Sequence, residues 1–243
     1  MQWLQFQQSG RIGHLLLNRP DKKNAQTPEM WSELRTLGQK LLADPGELAV
    51  VTVSGAGGCF SSGVDTSVFT SGILASGTID GKAVQEAFSW LRAAPFISIA
   101  AIEKFAIGAG LELALWCDLR LATEGTFFAL PEIDFGIIPD LGGCSLLAEI
   151  CGYSRAIELI TMARRFDASE AHRLGILNEI VPSDKLQVRL NELSALLAKR
   201  SLVALRSAKR AALASLPDTR PSLAVSLEEI ASCIASLQKQ PRS

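Results

Sequence analysis

The run "LAVVTVSG", residues 48–55, is apolar along most of its length and shows no in-out alternation. A strand exposed on one face alternates apolar and polar side chains, whereas a strand covered on both faces reads as a continuous apolar run. This run therefore requires layers above and below it, which places it in a sheet flanked by helices. "FISIAAIEKFAIG", residues 96–108, reads as a second such strand. The segments around them supply the layers. "RIGHLLLNRP" reads as a strand ended by Pro20. "QTPEMWSELRTLGQKLL" reads as a helix, with Thr27 as N-cap, Pro28 at the first helical position and an apolar stripe of Trp31, Leu34, Leu37 and Leu41. "LELALWCDLRLAT" reads as a helix running into a strand, and "FFALPEIDFGIIPD" is loop-rich. The alternation predicts an α/β fold of stacked β/α units. From Gly143 onward helical patterns dominate, and a change to an all-helical tail is expected near residues 185–200.

The 243 residues, 48% hydrophobic and 20% charged, suffice for one large domain or a domain with an appendage. A net charge of −1 without any basic run lacks the footprint of a nucleic-acid binder. No basic-then-apolar leader is read at the N-terminus, and no apolar run reaches the ~18 residues of a membrane span. Five cysteines without a C-x-x-C argue against a disulfide framework or structural zinc and predict reduced thiols in a cytoplasmic protein. Two histidines, His14 and His172, stand apart from any metal-ligand partner in sequence. Histidine-based nucleophilic or metal mechanisms are thereby weakened, leaving carboxylates and backbone amides as the chemical tools.

Three stretches carry candidates for such chemistry. "SGAGGCFSSGVD", residues 54–65, follows a buried strand but fails both the dinucleotide and the phosphate-loop patterns. It is either a plain strand-to-helix connection with Asp65 as a cap, or a loop whose backbone N–H groups approach a ligand. "AIGAGLELALWCD", residues 106–118, opens a helix with small residues, where unpaired N–H groups and the helix dipole favour negative charge. The helix is apolar on every face, so it should be buried, and Glu112 with it. A buried carboxyl is either paired structurally or raised in pKa for proton exchange. "LPEIDFGIIPDLGG", residues 130–143, sets Glu132 among apolar neighbours, with Asp134 and Asp140 beyond it as turn residues or as a second acid/base.

These stretches, in this order, resemble the enoyl-CoA hydratase/isomerase (crotonase) family. The similarity begins at "LNRPDKKNAQTPEMW" and extends through "GYSRAIELITMARRFDASEAHRLGILNEIVPSDKL", roughly residues 10–210. The resemblance implies a crotonase-like spiral of ββα units. Residues 1–195 would form the core with the acyl-CoA site, and 196–243 a shortened helical region for oligomerisation, giving a homotrimer or a dimer of trimers. It implies an acyl-CoA thioester substrate and no cofactor beyond the CoA that arrives with it. An enolate-like oxyanion would be held by the N–H groups of Val64 and Ala109. The hydratase pair would be Glu112 and Glu132. Lys22, Lys23, Ala25, Ser62, Gly63, Asp65 and Gly108 would line the CoA and thioester site.

Against the family pattern, Lys104 stands where relatives usually have glycine, and the chain stops at "SLQKQPRS" without their usual last segment. Asp140 matches a catalytic aspartate of some double-bond isomerases in the family. The segment "TSVFTSGILASGTIDGKAVQEAF" should shape acyl-chain preference. Hydration of a 2-enoyl-CoA is the leading expectation. Enoyl- or dienoyl-CoA isomerisation through Glu132 or Asp140 is the first alternative, and a non-catalytic acyl-CoA binder the second.

Overall fold

The structure is a computed structural model that describes residues 1–70 and 80–239. The nine residues 71–79 of the expected acyl-chain segment lie outside the described residues. The strands are β1 (Leu4–Ser9), β2 (Ile12–Leu17), β3 (Val50–Gly55), β4 (Ile97–Ile102), β5 (Phe105–Ile107), β6 (Leu119–Thr123), β7 (Phe127–Ala129), β8 (Phe166–Asp167) and β9 (Glu179–Val181). The helices are α1 (Pro28–Ala43), α2 (Thr66–Thr70), α3 (Gly81–Ala93), α4 (Ala109–Leu115) and α5 (Gly143–Cys151). They continue as α6 (Tyr153–Met162), α7 (Ala168–Arg173), α8 (Leu186–Ala198), α9 (Leu202–Ala214) and α10 (Arg220–Lys239).

A six-stranded sheet runs β1-β2-β3-β4-β6-β9, antiparallel at the β1-β2 hairpin and parallel thereafter. A three-stranded sheet, β5-β7-β8, lies beside it. The apolar run of β3 pairs in parallel on both sides, and Val50, Val51 and Val53 are fully buried. Thr27 caps α1 by accepting from the Met30 amide, and Trp31, Leu34, Leu37 and Leu41 are buried as the stripe requires.

Residues 96–108 are two strands rather than the single one expected. β4 belongs to the large sheet and β5 to the small one. The break falls at Lys104, whose φ of +56° is left-handed and cannot continue an extended run. Hydropathy is blind to this corner because both halves are apolar.

The C-terminal helices are tied to the core in different ways. Leu186 and Leu190 of α8 bury against Val50, Ile99 and Leu121 on one face of the large sheet. Lys209 of α9 is buried, and its ammonium donates to the carbonyls of Leu91 and Phe96 and to Asp118 at 2.7 Å. All three ammonium donors are thereby satisfied, which removes most of the penalty of burying the charge. α10 lies on α3 and α5, with Leu227 against Gly81 and Leu237 against Gly136. Among the described residues no helix is long and apolar enough to cross a membrane. All five cysteines are free, and the half-buried His14 bonds Thr52 at 2.9 Å.

Candidate active site

Two loops meet at the start of α4. In the first, Ser61 and Gln26 hold the chain in place. Ser61 bridges to Ala106, and Gln26 bridges to Val64 by donating its amide to Gly63 O and accepting from Asp65 N. The Ser62 amide donates to Lys23 O, and the Ser61 hydroxyl donates to Asn24 O. These bonds use the amides on both sides of Val64 but not its own. Among the described residues, the Val64 N–H has no acceptor.

The second loop is "IGAG". Gly108 adopts φ +52° and ψ −128°, a region closed to residues with a side chain. A methyl group there would stand 2.8 Å from Glu132 Oε1. Ala109 is the first residue of α4, so its N–H precedes the helical ladder, and it finds no acceptor among the described residues. The two loops touch: a Cβ on Gly63 would lie 3.7 Å from the Ala109 nitrogen. Free amides on adjacent loops, one at the positive end of a helix, are the kind of donor that stabilises negative charge on an oxygen.

Glu132 stands against Gly108, and Glu112 and Asp140 are close enough to it to interact electrostatically. Glu112, one turn into α4, is 2% exposed, and its Oε1 accepts from the amides of Leu141 and Gly143, both at 2.9 Å. Burial pushes its pKa well above the ordinary range, repulsion from Glu132 and Asp140 adds to this, and the two amides oppose it. Glu132 lies in a short 3₁₀ turn, Glu132–Phe135, and its Oε2 is sheltered from solvent without a hydrogen-bond partner. Burial raises it to about 7, against its own backbone amide and with help from Asp140. Asp140 is raised to about 6, again mainly by burial. The thiol of Cys144 is pushed up to about 12, first by burial and then by all three carboxyls, so it stays protonated. Carboxyls in this state exchange protons near neutrality as a coupled group.

The remaining expected residues surround this centre. Lys22 ends the 3₁₀ turn Pro20–Lys22 and Lys23 caps it; both are exposed, and Lys23 and Asn24 are both left-handed at φ +53°. Ala25 is buried, and its carbonyl accepts from Arg19. Asp65 has both oxygens engaged: Oδ2 pairs with Arg19 at 3.0 Å, and Oδ1 accepts from the amide and hydroxyl of Ser67. These bonds, those of Ser67 foremost, hold the Asp65 carboxyl down at about 2. Asp65 thus anchors the loop that presents Val64.

Several supporting residues carry no signal in the sequence. Arg19 lies over the Trp3 ring at 5.1 Å while clamping Ala25 and Asp65. Gln26 donates to Ala109 O at 3.2 Å and accepts from the Trp31 indole at 2.9 Å. The Trp116 indole donates to Leu141 O at 2.6 Å, and Gln85 donates to Asp140 O at 2.8 Å. Among the described residues, no group of three or more His, Cys, Asp or Glu side chains is disposed to hold a metal ion.

A crossover sheet with a small side sheet, bearing free amides at the head of a buried helix and acid groups behind them, has the architecture of crotonase-type α/β proteins. The chain belongs to the enoyl-CoA hydratase/isomerase family, whose sequence model matches residues 7–232. The resemblance read from the motifs is thereby confirmed. "Probable enoyl-CoA hydratase echA8" of Mycobacterium bovis is 31% identical over 203 residues, 83% of this chain and 77% of that protein. The mitochondrial Delta(3,5)-Delta(2,4)-dienoyl-CoA isomerase of Rattus norvegicus is 36% identical over 211 residues, 81% of this chain and 64% of that protein. A Thermobifida fusca YX protein assigned as an enoyl-CoA hydratase, crystallised in complex with acetoacetyl-CoA, aligns with a TM-score of 0.83 at 32% identity. The alignment covers 98% of this chain and 96% of that one.

Proposed function

We propose that the protein is an enoyl-CoA hydratase that adds water across the 2,3 double bond of a 2-enoyl-CoA. The observation that carries the reading is the sheltered, unpartnered Oε2 of Glu132. It belongs to a carboxyl poised near pH 7, close to a helix start whose first amide is free. The thioester oxygen binds between the Val64 and Ala109 N–H groups. As water oxygen bonds to C3, the π electrons move toward C2 and the carbonyl, and the developing oxyanion is held by those donors. One such donor is typically worth about 3–4 kcal/mol in the transition state. Glu112, its Oε1 fixed by two amides, helps to hold the water, which gives up its proton to the glutamate pair. Protonated Glu132 delivers a proton to C2, and the proton taken from water restores the pair. The exposed Lys22 and Lys23 meet the CoA phosphates, with Ala25 beside them. Ser62, Gly63, Asp65 and Gly108 shape the thioester end. No cofactor takes part.

A second reading is supported by Asp140. Its pKa of about 6 and its coupling to Glu112 and Glu132 would suit a pair of carboxyls moving a proton between carbons. In that reading Glu132 and Asp140 make the protein an enoyl- or dienoyl-CoA isomerase. A panel of 2-enoyl-, 3-enoyl- and 3,5-dienoyl-CoA thioesters with product mass analysis separates the two. Hydration adds the mass of one water and isomerisation leaves the mass unchanged. Turnover of 3-enoyl- or dienoyl-CoA without turnover of any 2-enoyl-CoA would reject hydration.

We further propose a homotrimer or a dimer of trimers built through residues 196–243, supported by the exposed apolar side chains of Val203, Val225 and Leu237. Light scattering tests this. The five unpaired cysteines support a cytoplasmic location.

A further inference from the structure

We propose that Gln85 is a positioning residue that sets the placement of Asp140 by bracing its peptide against the C-terminal helix. The inference rests on the acyl-CoA reading above for its kinetic part only.

Gln85 lies on the inner face of α3 and is 5% exposed. Its side-chain nitrogen donates to two carbonyls from distant parts of the chain, Asp140 O at 2.8 Å and Leu223 O at 3.1 Å. A primary amide is the uncharged side-chain group with two hydrogens on one nitrogen, so a single Gln serves both acceptors without burying a charge. The first acceptor is the peptide of an acid-site residue, and the second is in the first turns of α10. The other end of the same peptide, the Leu141 amide, donates to Glu112, and the following carbonyl, Leu141 O, takes the Trp116 indole. The Asp140 carboxyl is therefore aimed by three bonds to the main chain of its own segment, and Gln85 is the one of the three that reaches α10. The same helix presses Leu237 onto Gly136, the residue that ends the Glu132 turn. Both acid-bearing segments are braced by α10, one through an apolar contact and the other through the Gln85 amide.

Gln85→Met keeps the length and shape of the side chain and removes both donors. Gln85→Asn keeps the amide one methylene short, so it reaches at most one carbonyl. A shift of the 140–141 peptide also moves the Leu141 amide that holds Glu112, and displacement of a catalytic group by a fraction of an ångström to 1 Å lowers turnover by about tenfold to a hundredfold. The expected result for Gln85→Met is kcat reduced about tenfold with KM within about twofold, because the CoA loop at Lys22 and Lys23 is untouched. Gln85→Asn should fall between Met and wild type. Amide deuterium uptake, followed by mass spectrometry, should rise together in residues 139–143 and 220–226 of Gln85→Met. Wild-type kcat in Gln85→Met, or uptake that rises in one segment without the other, overturns the proposal. Should the wild-type protein turn over no acyl-CoA, the functional reading falls, while the paired uptake change still decides the role of Gln85. Should Gln85→Met fail to fold, the same measurements on Gln85→Asn decide it.

Discussion

One oxygen of Glu112 stands 2.9 Å from the amide of Gly143, the first residue of α5, and takes the Leu141 amide at the same distance. The carboxyl that the site offers as an acid/base is therefore also the anchor of the segment that carries Asp140. Negative charge on that oxygen faces the positive end of α5, which offsets part of the cost of burial. Anchoring and proton exchange make different demands on the group, and substitution can separate them.

Glu112→Gln retains an oxygen able to accept both amides and removes the ionisable group. It should fold with a urea stability at pH 7 no lower than that of wild type and lose about 10²–10⁴ in kcat. Glu112→Ala strands two buried N–H donors and opens a cavity, and should be destabilised by roughly 3 kcal/mol. Equal stability of the Gln and Ala variants would show that the two amides do not depend on this carboxyl.

The acid cluster sets how stability responds to pH. Glu132 moves from an ordinary 4.5 to about 7 and Asp140 from 3.8 to about 6 on folding. Groups raised in this way bind more protons folded than unfolded, so the slope of unfolding free energy with pH is negative. Their penalty is absent below pH ~4 and is fully felt above pH ~7. Urea midpoints should therefore fall between those limits. Glu132→Gln should flatten the fall and, at pH 8, be more stable than wild type by on the order of 2 kcal/mol. Parallel pH curves for wild type and variant would contradict the placement of this carboxyl.

Much of this centre is readable from residue type, and the reason is local. The buried strand β3, the capped helix α1 and the small residues opening α4 are each specified by neighbours in sequence. Glu112 is legible as a buried carboxyl because every face of α4 is apolar. The partners that define its state are not legible, since Leu141 and Gly143 lie about thirty residues away and act with backbone amides, which every residue carries. The split of residues 96–108 is hidden for a related reason: a corner made by a left-handed lysine leaves no mark on hydropathy. Gln85 and Arg19 are silent in the sequence because an isolated Gln or Arg has no pattern until its acceptors are folded against it.

Asp65 and Arg19 should behave as one unit. Their ion pair at 3.0 Å is largely shielded, with side-chain exposures of 14% and 12%, and it joins the segment leading to Lys22 and Lys23 to the loop bearing the Val64 amide. The low Asp65 value, about 2 against an ordinary 3.8, means that this contribution is present above pH ~4 and is lost as pH falls toward 2. At pH 7, Asp65→Ala should cost about 2 kcal/mol and lower kcat, and Arg19→Met should do the same. In a double-mutant cycle the combined loss should be about 1 kcal/mol less than the sum. Additive losses in both stability and kcat would mean that each residue acts alone.

Lys104 holds φ at +56° between two strands, where a side chain adds strain that glycine lacks. The cost for a residue with a Cβ in this region is about 1–2 kcal/mol, set against the greater freedom that glycine has in the unfolded chain. The Lys104 ammonium makes no hydrogen bond or ion pair among the described residues, so the folded state loses no partner on substitution. Strain relief should then dominate, and Lys104→Gly should raise the urea midpoint by the equivalent of about 0.5–1 kcal/mol. Lys104→Ala keeps the Cβ and the strain, so it should stay within about 0.3 kcal/mol of wild type. The pair of variants isolates the backbone: stabilisation by both would assign the effect to the loss of charge, and stabilisation by glycine alone assigns it to the corner that sends the chain from β4 into β5 and on to the free amide of Ala109.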